Sequence, residues 1–124
     1  MFVNLSNHAS DNWPEEEKNA AKRYGDIIDV AFPSIPVDIT SEQMDVLVDE
    51  YAEKLHALLS SDVEDDAIMI QGESVFAYRM VVRLKKDHIR ALAAVTERKS
   101  HEETLPDGTV RKVSLFVFNG FREY

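Results

Sequence analysis

Apolar runs of strand length alternate with segments of helical period along this chain, and that alternation limits the fold more than any other feature. Met1 to Leu5 is a short apolar run suited to a strand buried on both faces. "DIIDVAF" (26–32) supplies a second strand, ended by Pro33 and Pro36. "AIMIQGES" (67–74) is a third strand with its exit, and "IRALAAVTER" (89–98) a fourth with its exit. Between them lie three helical segments. The first is capped by Asp11 or Asn12, carries Glu15–Glu17 at the positive end of its dipole, runs to about Tyr24 and stops at Gly25. The second, "TSEQMDVLVDEYAEKLHALLS" (40–60), puts Met44, Leu47, Val48, Tyr51, Leu55, Leu58 and Leu59 on one stripe, with Thr40 or Ser41 as cap. "SSDVEDD" (60–66) leads out of it as a polar connection, whose acids at 62–66 read as a solvated loop, since they lack the alternation and glycine of a calcium loop. The third helix, "SVFAYRMVVRLKKDH" (74–88), is apolar at 76, 80, 81 and 84 and ends in cations, where its dipole favours them.

Beyond Lys99 the period changes. Asp107-Gly108 is a strong hairpin signal, and "VRKVSLFVF" (110–118) is a strand that alternates near its start. The chain therefore reads β-α-β-α-β-α-β followed by a β-hairpin whose second arm joins or covers the sheet edge. Strands alternating with helices imply a mainly parallel sheet with helices on both faces and right-handed crossovers. The simplest strand order begins 2-1-3-4, with a switch point between strands one and three. Ligands of such sheets bind at the carboxyl ends of the strands, near that switch.

At 124 residues, positions 1–124 make one domain with a real core. No apolar run approaches the roughly 20 residues that span a bilayer. The N-terminus lacks a basic segment and a long apolar stretch, so a secretory signal is not expected and the cytoplasm is the expected compartment. With no cysteine there is no disulfide framework, thiolate zinc site or cysteine nucleophile. A net charge of −9 argues against a protein that coats long nucleic acid. That charge is uneven: residues 1–66 hold 16 acids against 4 bases, net −12, whereas residues 67–124 hold 7 against 10, net +3. A small anionic ligand could thus meet a basic face on an acidic protein. No GxGxxG, GxxxxGK[ST] or HExxH motif is present, so a dinucleotide cofactor, P-loop hydrolysis and a metal site are not expected.

The strand exits carry the chemistry. Strand one leaves through Ser6-Asn7-His8, strand three through Gln71-Gly72-Glu73-Ser74, and strand four through Thr96-Glu97-Arg98. Ser6 and Asn7 can hold ribose hydroxyls or phosphate oxygens, and a histidine such as His8 can move a proton near neutrality. Gly72 would let a backbone approach closely, and Glu73-Ser74 sits where the third helix offers N–H groups to an anion. Arg98 presents a fork suited to phosphate, and Arg79, one turn into the third helix, is a second such contact. Thr96 and Glu97 complete the edge. Each residue also has a plainer role: Ser6 and Asn7 as turn formers, Glu73 as a helix cap, Arg98 as an ion-pair partner of Glu97 or Glu73. Trp13 is expected as a core or lid residue, and His56, His88 and His101 on the surface.

Taken together, "NLSNH" near the start, "GES" after strand three, "TER" after strand four and the terminal "FREY" resemble small CRISPR-associated proteins of type III systems, of the ring nuclease group. The group has a proline after the histidine, where this chain has Ala9. The resemblance implies a Rossmann-like (CARF-like) three-layer α/β sandwich. It also implies a homodimer that binds one cyclic oligoadenylate ring across its two-fold axis. Cleavage would be metal-independent and need no cofactor. The ribose 2′-OH would attack the phosphorus, with His8 as base or acid, Ser6 and Asn7 holding the sugar-phosphate, and Arg98 with the Gly72–Ser74 amides stabilising charge. Phe116, Phe118 and Phe121 would then serve the core or a dimer interface, and Arg122 and Tyr124 could reach the partner or the ligand or form a surface tail. A second reading keeps the same residues as a non-catalytic cyclic oligoadenylate sensor or sponge. A third makes the acidic helix at 41–60, with Glu50 and Glu53, a protein-interaction surface.

Overall fold

The structure, a computed structural model, describes residues 1–59 and 63–124. Its regular elements are β1 (Phe2–Ser6), α1 (Glu15–Lys22), β2 (Ile27–Ala31), α2 (Ser41–Leu58), β3 (Ala67–Ile70), α3 (Ser74–Lys86), β4 (Arg90–Thr104) and β5 (Val110–Glu123). They build one five-stranded sheet in the order β2-β1-β3-β4-β5. The first four strands in this order pair in parallel and β4–β5 is antiparallel, so the chain is a mixed α/β protein with a mostly parallel sheet and a C-terminal hairpin. The expected 2-1-3-4 start and its switch point are both present.

Burial explains the arrangement. All five residues of β1 and all four of β3 are buried, as the continuous apolar runs imply for the centre of a sheet covered on both sides. On one side Val3, Leu5, Ile68 and Ile70 meet Met44, Val48, Ala52 and Leu55 of α2 and Phe76, Met80, Val81 and Leu84 of α3. On the other, Phe2, Ala67, Met69 and Leu92 meet Trp13 and Ala21 of the α1 region. The alternation of side chains along β1 therefore divides a single strand between two cores. Thr40 caps α2 in a full capping box: its hydroxyl accepts from Gln43 N, and the Gln43 side chain accepts from Thr40 N.

Three expectations are corrected. The fourth strand does not exit at Thr96-Glu97-Arg98. It runs on to Thr104 and is itself the first arm of the hairpin, so the sheet has five strands in all. Its pairing with β3 ends at Leu92, after which its partner is β5. Thr96–Ser100 are exposed, and with no core to face, this stretch carries no alternation from which a strand could be read. A bulge sits at the point of departure, where Asn119 and Gly120 oppose Val95 and Gly120 has φ +92°. Second, neither Asp11 nor Asn12 caps α1; they belong to a 3-10 turn (Ser10–Asn12), and Pro14 holds the cap position. Third, the acids before β3 are not uniformly solvated: Asp66 is fully buried and lies 2.9 Å from the Met1 amino group. Residues 60–62 of that connection, Asp62 among them, lie outside the described residues. The three phenylalanines near the end, expected in the core or at a dimer interface, differ in burial. Phe121 packs on Phe2 (5.0 Å between centroids) and Phe118 on Phe121 (5.1 Å), but Phe116 is 68% exposed.

Candidate functional site

The exits of β1 and β3 adjoin at the switch point: Gln71 N donates to Leu5 O (3.1 Å), and Phe32 N, after β2, to Ser6 O (3.4 Å). The β1 exit is held by a buried polar network. Asn4, 1% exposed in the middle of β1, donates through Nδ2 to His8 O (2.8 Å) and to Asp29 Oδ1 (2.8 Å). Its Oδ1 accepts from Ser6 Oγ (2.7 Å), which in turn accepts from His8 N (3.1 Å). Trp13 Nε1 donates to the same His8 carbonyl (3.2 Å), and the Asp29 carboxylate accepts from both N and Oγ of Ser10. Asn4 and Asp29 are register partners across β1 and β2, which is what brings them together. Every polar atom of the Asn4 amide is thus used, and the turn from Ser6 to Ser10 has one geometry.

This network changes the reading of individual residues. Ser6 is buried and spends its hydroxyl within the turn, so it positions the loop and does not present itself to solvent. Asn7 and His8, by contrast, are exposed on the pinned turn. Glu17 of α1 lies in the field of His8; burial pushes its carboxyl above the ordinary range, and the His8 charge partly opposes that rise. Trp13 is a core residue, edge-on to Phe2 at 6.0 Å.

At the β3 exit, the expected anion cradle is already occupied. The Glu73 carboxylate caps α3, accepting from Val75 N (3.1 Å) and Phe76 N (2.7 Å), so these two amides are not offered to a ligand. Gly72 has close company, but it is internal: a Cβ there would stand 2.4 Å from the Phe32 ring. Ser74 is exposed at the first turn of α3. Arg79 does not reach the edge. Its guanidinium donates to Asp45 Oδ1 (2.9 Å) and Ser41 O (3.0 Å), clamping α3 to the start of α2.

Thr96, Glu97 and Arg98 lie on the projecting β4–β5 ribbon, opposite Phe118, Val117 and Phe116. Arg98 bonds Ser114 Oγ through Nε (3.3 Å) and Nη2 (3.1 Å), not Glu97 or Glu73. Two of the three expected exits therefore converge at the sheet edge, and the third belongs to a separate structural feature. The three remaining histidines are exposed, His56 beside Asp87 (2.9 Å) and His101 beside Glu103 (3.2 Å).

Sequence reasoning passed over Asn4, Asp29 and Tyr78. Asn4 had a signal, since a polar residue inside a strand buried on both faces needs partners. Tyr124, expected at the partner, at the ligand or in a surface tail, donates its hydroxyl to Ile70 O (3.1 Å), across 54 residues of sequence. Among the described residues no group of three or more His, Asp or Glu side chains is arranged to hold a metal ion, and no helix is long and apolar enough to cross a membrane.

No curated protein and no solved structure matches this chain. A family model matches residues 1–122, and the chain accordingly belongs to the uncharacterized protein MJ1673 family.

Proposed function

We propose that the protein binds a cyclic oligoadenylate at the carboxyl edge of a Rossmann-like sheet and cleaves it as a metal-independent ring nuclease. The observation that carries this reading is the pinned Ser6–Ser10 turn, which leaves Asn7 and His8 exposed beside the switch point while their backbone is held from below. A rigid turn costs little further ordering when a ligand binds. In the proposed step the neutral His8 imidazole takes the proton of a ribose 2′-OH, and the 2′-oxygen bonds to the adjacent phosphorus. The bond from phosphorus to the 5′-oxygen breaks, the 5′-oxygen gains a proton, and a 2′,3′-cyclic phosphate remains. Asn7 holds the sugar-phosphate, and Arg98, on the separate ribbon and bonded to Ser114, is not brought to this edge within one chain. The proposal includes a homodimer. Leu115 and Phe116 are 60% and 68% exposed on a ribbon that has no layer over it, and a two-stranded ribbon alone is marginal in water.

One observation favours the sensor or sponge as second reading: the Arg79 guanidinium is committed to Asp45 and Ser41, so this cation is not offered to the charge of a transition state. The test is incubation of the purified chain in EDTA with cyclic tri-, tetra- and hexa-adenylate, followed by mass analysis. Linear products ending in 2′,3′-cyclic phosphate, lost in His8→Ala, are the expected result. Intact rings that raise the melting temperature select the sensor; neither cleavage nor shift removes both readings. Sedimentation velocity of the unmodified protein reads the dimer directly.

A further inference from the structure

A cleft of about 400 Å³ opens beside the β3 exit, lined by Gln71, Gly72, Ser74, Tyr78, Val81 and Tyr124. That volume is within the range of small-molecule sites. Its lining is uncharged, unlike the openings lined by Lys18, Lys22 and Asp26 or by Glu64, Lys85 and Arg90. Two tyrosine rings stand in its wall, Tyr78 at 70% exposure from the second turn of α3 and Tyr124 at 45% from the end of β5. A neutral, aromatic-walled cleft suits a planar base and not a phosphate, and stacking is the interaction such rings supply.

Tyr124 is fastened at three points. Its N donates to Ala91 O (3.0 Å), its carbonyl accepts from Lys85 Nζ (2.9 Å), and its hydroxyl donates to Ile70 O (3.1 Å). Burial pushes its phenol above the ordinary range, which preserves the donor. The ring is therefore set in place before any ligand arrives. Gln71 is exposed at the same mouth, and its amide offers a donor and an acceptor to the edge of a base.

We infer that this cleft is a nucleobase subsite, in which an adenine ring stacks on Tyr78 and Tyr124 while Gln71 reads its edge. The inference rests on the nucleotide-binding reading above and extends it: the β1 turn handles the sugar-phosphate, and the base is taken up by a different part of the edge.

The experiment is calorimetric titration of the full chain with cyclic tetra-adenylate, adenosine 5′-monophosphate and ribose 5-phosphate, for the unmodified protein, Tyr78→Leu, Tyr78→Phe and Tyr124→Leu. Removing a stacking ring should weaken adenylate binding roughly 5- to 100-fold, and Tyr78→Phe should bind as the unmodified protein does. Ribose 5-phosphate should bind far more weakly than the adenosine monophosphate. Tyr78 is exposed, so its leucine variant tests the site without disturbing the core. Cyclic adenylate bound equally by Tyr78→Leu and Tyr124→Leu overturns the subsite and leaves the proposed function standing. Tyrosine-dependent binding of the monophosphate with none of the cyclic form supports the subsite and overturns that function. Equal binding of ribose 5-phosphate, or no binding at all, overturns the subsite.

Discussion

Gly72→Ala separates two explanations of a glycine at the end of β3. If Gly72 exists to let a ligand approach the backbone, alanine should weaken binding and leave stability alone. The structure predicts the reverse. An added Cβ would lie 2.4 Å from two atoms of the Phe32 ring and 2.6 Å from a third, well inside any van der Waals contact. The ring cannot simply swing aside: it packs edge-on to Phe76 (5.1 Å, 76°), which is itself edge-on to Tyr51 (5.5 Å, 85°). Overpacking of this kind costs about 1–3 kcal/mol. For a chain of this size that corresponds to a fall in melting temperature of roughly 3–15 °C. Urea denaturation should show a lower midpoint with an unchanged slope. The decisive control is Phe32→Leu, which removes the ring edge that the new methyl meets. In that background Gly72→Ala should cost less than about 0.5 kcal/mol, a coupling expected only of residues in contact. An unchanged melting temperature for Gly72→Ala, or an equal loss in both backgrounds, would refute the packing argument.

Asn4→Ala removes the amide that joins His8, Ser6 and Asp29, and should cost about 1–3 kcal/mol by urea denaturation. A cost near zero would mean that the network is not the anchor of the turn. Glu73→Ala leaves two amides of α3 uncapped and should lower stability by about 1 kcal/mol, whereas Glu73→Asp should retain most of it in the same melting assay. Glu17 holds its proton more tightly in the folded chain than in the unfolded one, so its ionisation opposes folding. That penalty is absent below the ordinary carboxylate range and complete above the raised value. Glu17→Gln should therefore stabilise the protein at pH 7, with a gain that fades as pH falls into the acid range. Urea midpoints at the two ends of that range check it, and a gain independent of pH would contradict the assignment.

The legible parts of this fold were those whose cause is local. Thr40 or Ser41 was readable as the cap of α2, and Thr40 holds that place, because a cap and its partner lie within one turn. Residues 76, 80, 81 and 84 were readable as the buried stripe of α3, and all four are buried. At the candidate site the same held for the place but not for the roles. The exits of β1 and β3 meet where strand order says they should, yet Ser6, Glu73 and Arg79 turned out to have internal partners. Arg79 is bound to residues 34 and 38 positions away, and no spacing rule reports such a pair.

By itself the sequence determined that strands alternate with helices, which side chains face the cores, and that β1 and β3 lie at the centre of a parallel sheet. These follow from burial periodicity, a property of neighbouring residues. Only the tertiary structure decided how far β4 runs, because past Leu92 its extension depends on β5 and not on any pattern of its own. Tertiary structure also decided that Gly72 answers to Phe32, that Asp66 is buried, and that Tyr124 reaches Ile70 to wall a cleft. Each of these joins residues remote in sequence, brought within reach by the register of strands and the packing of layers.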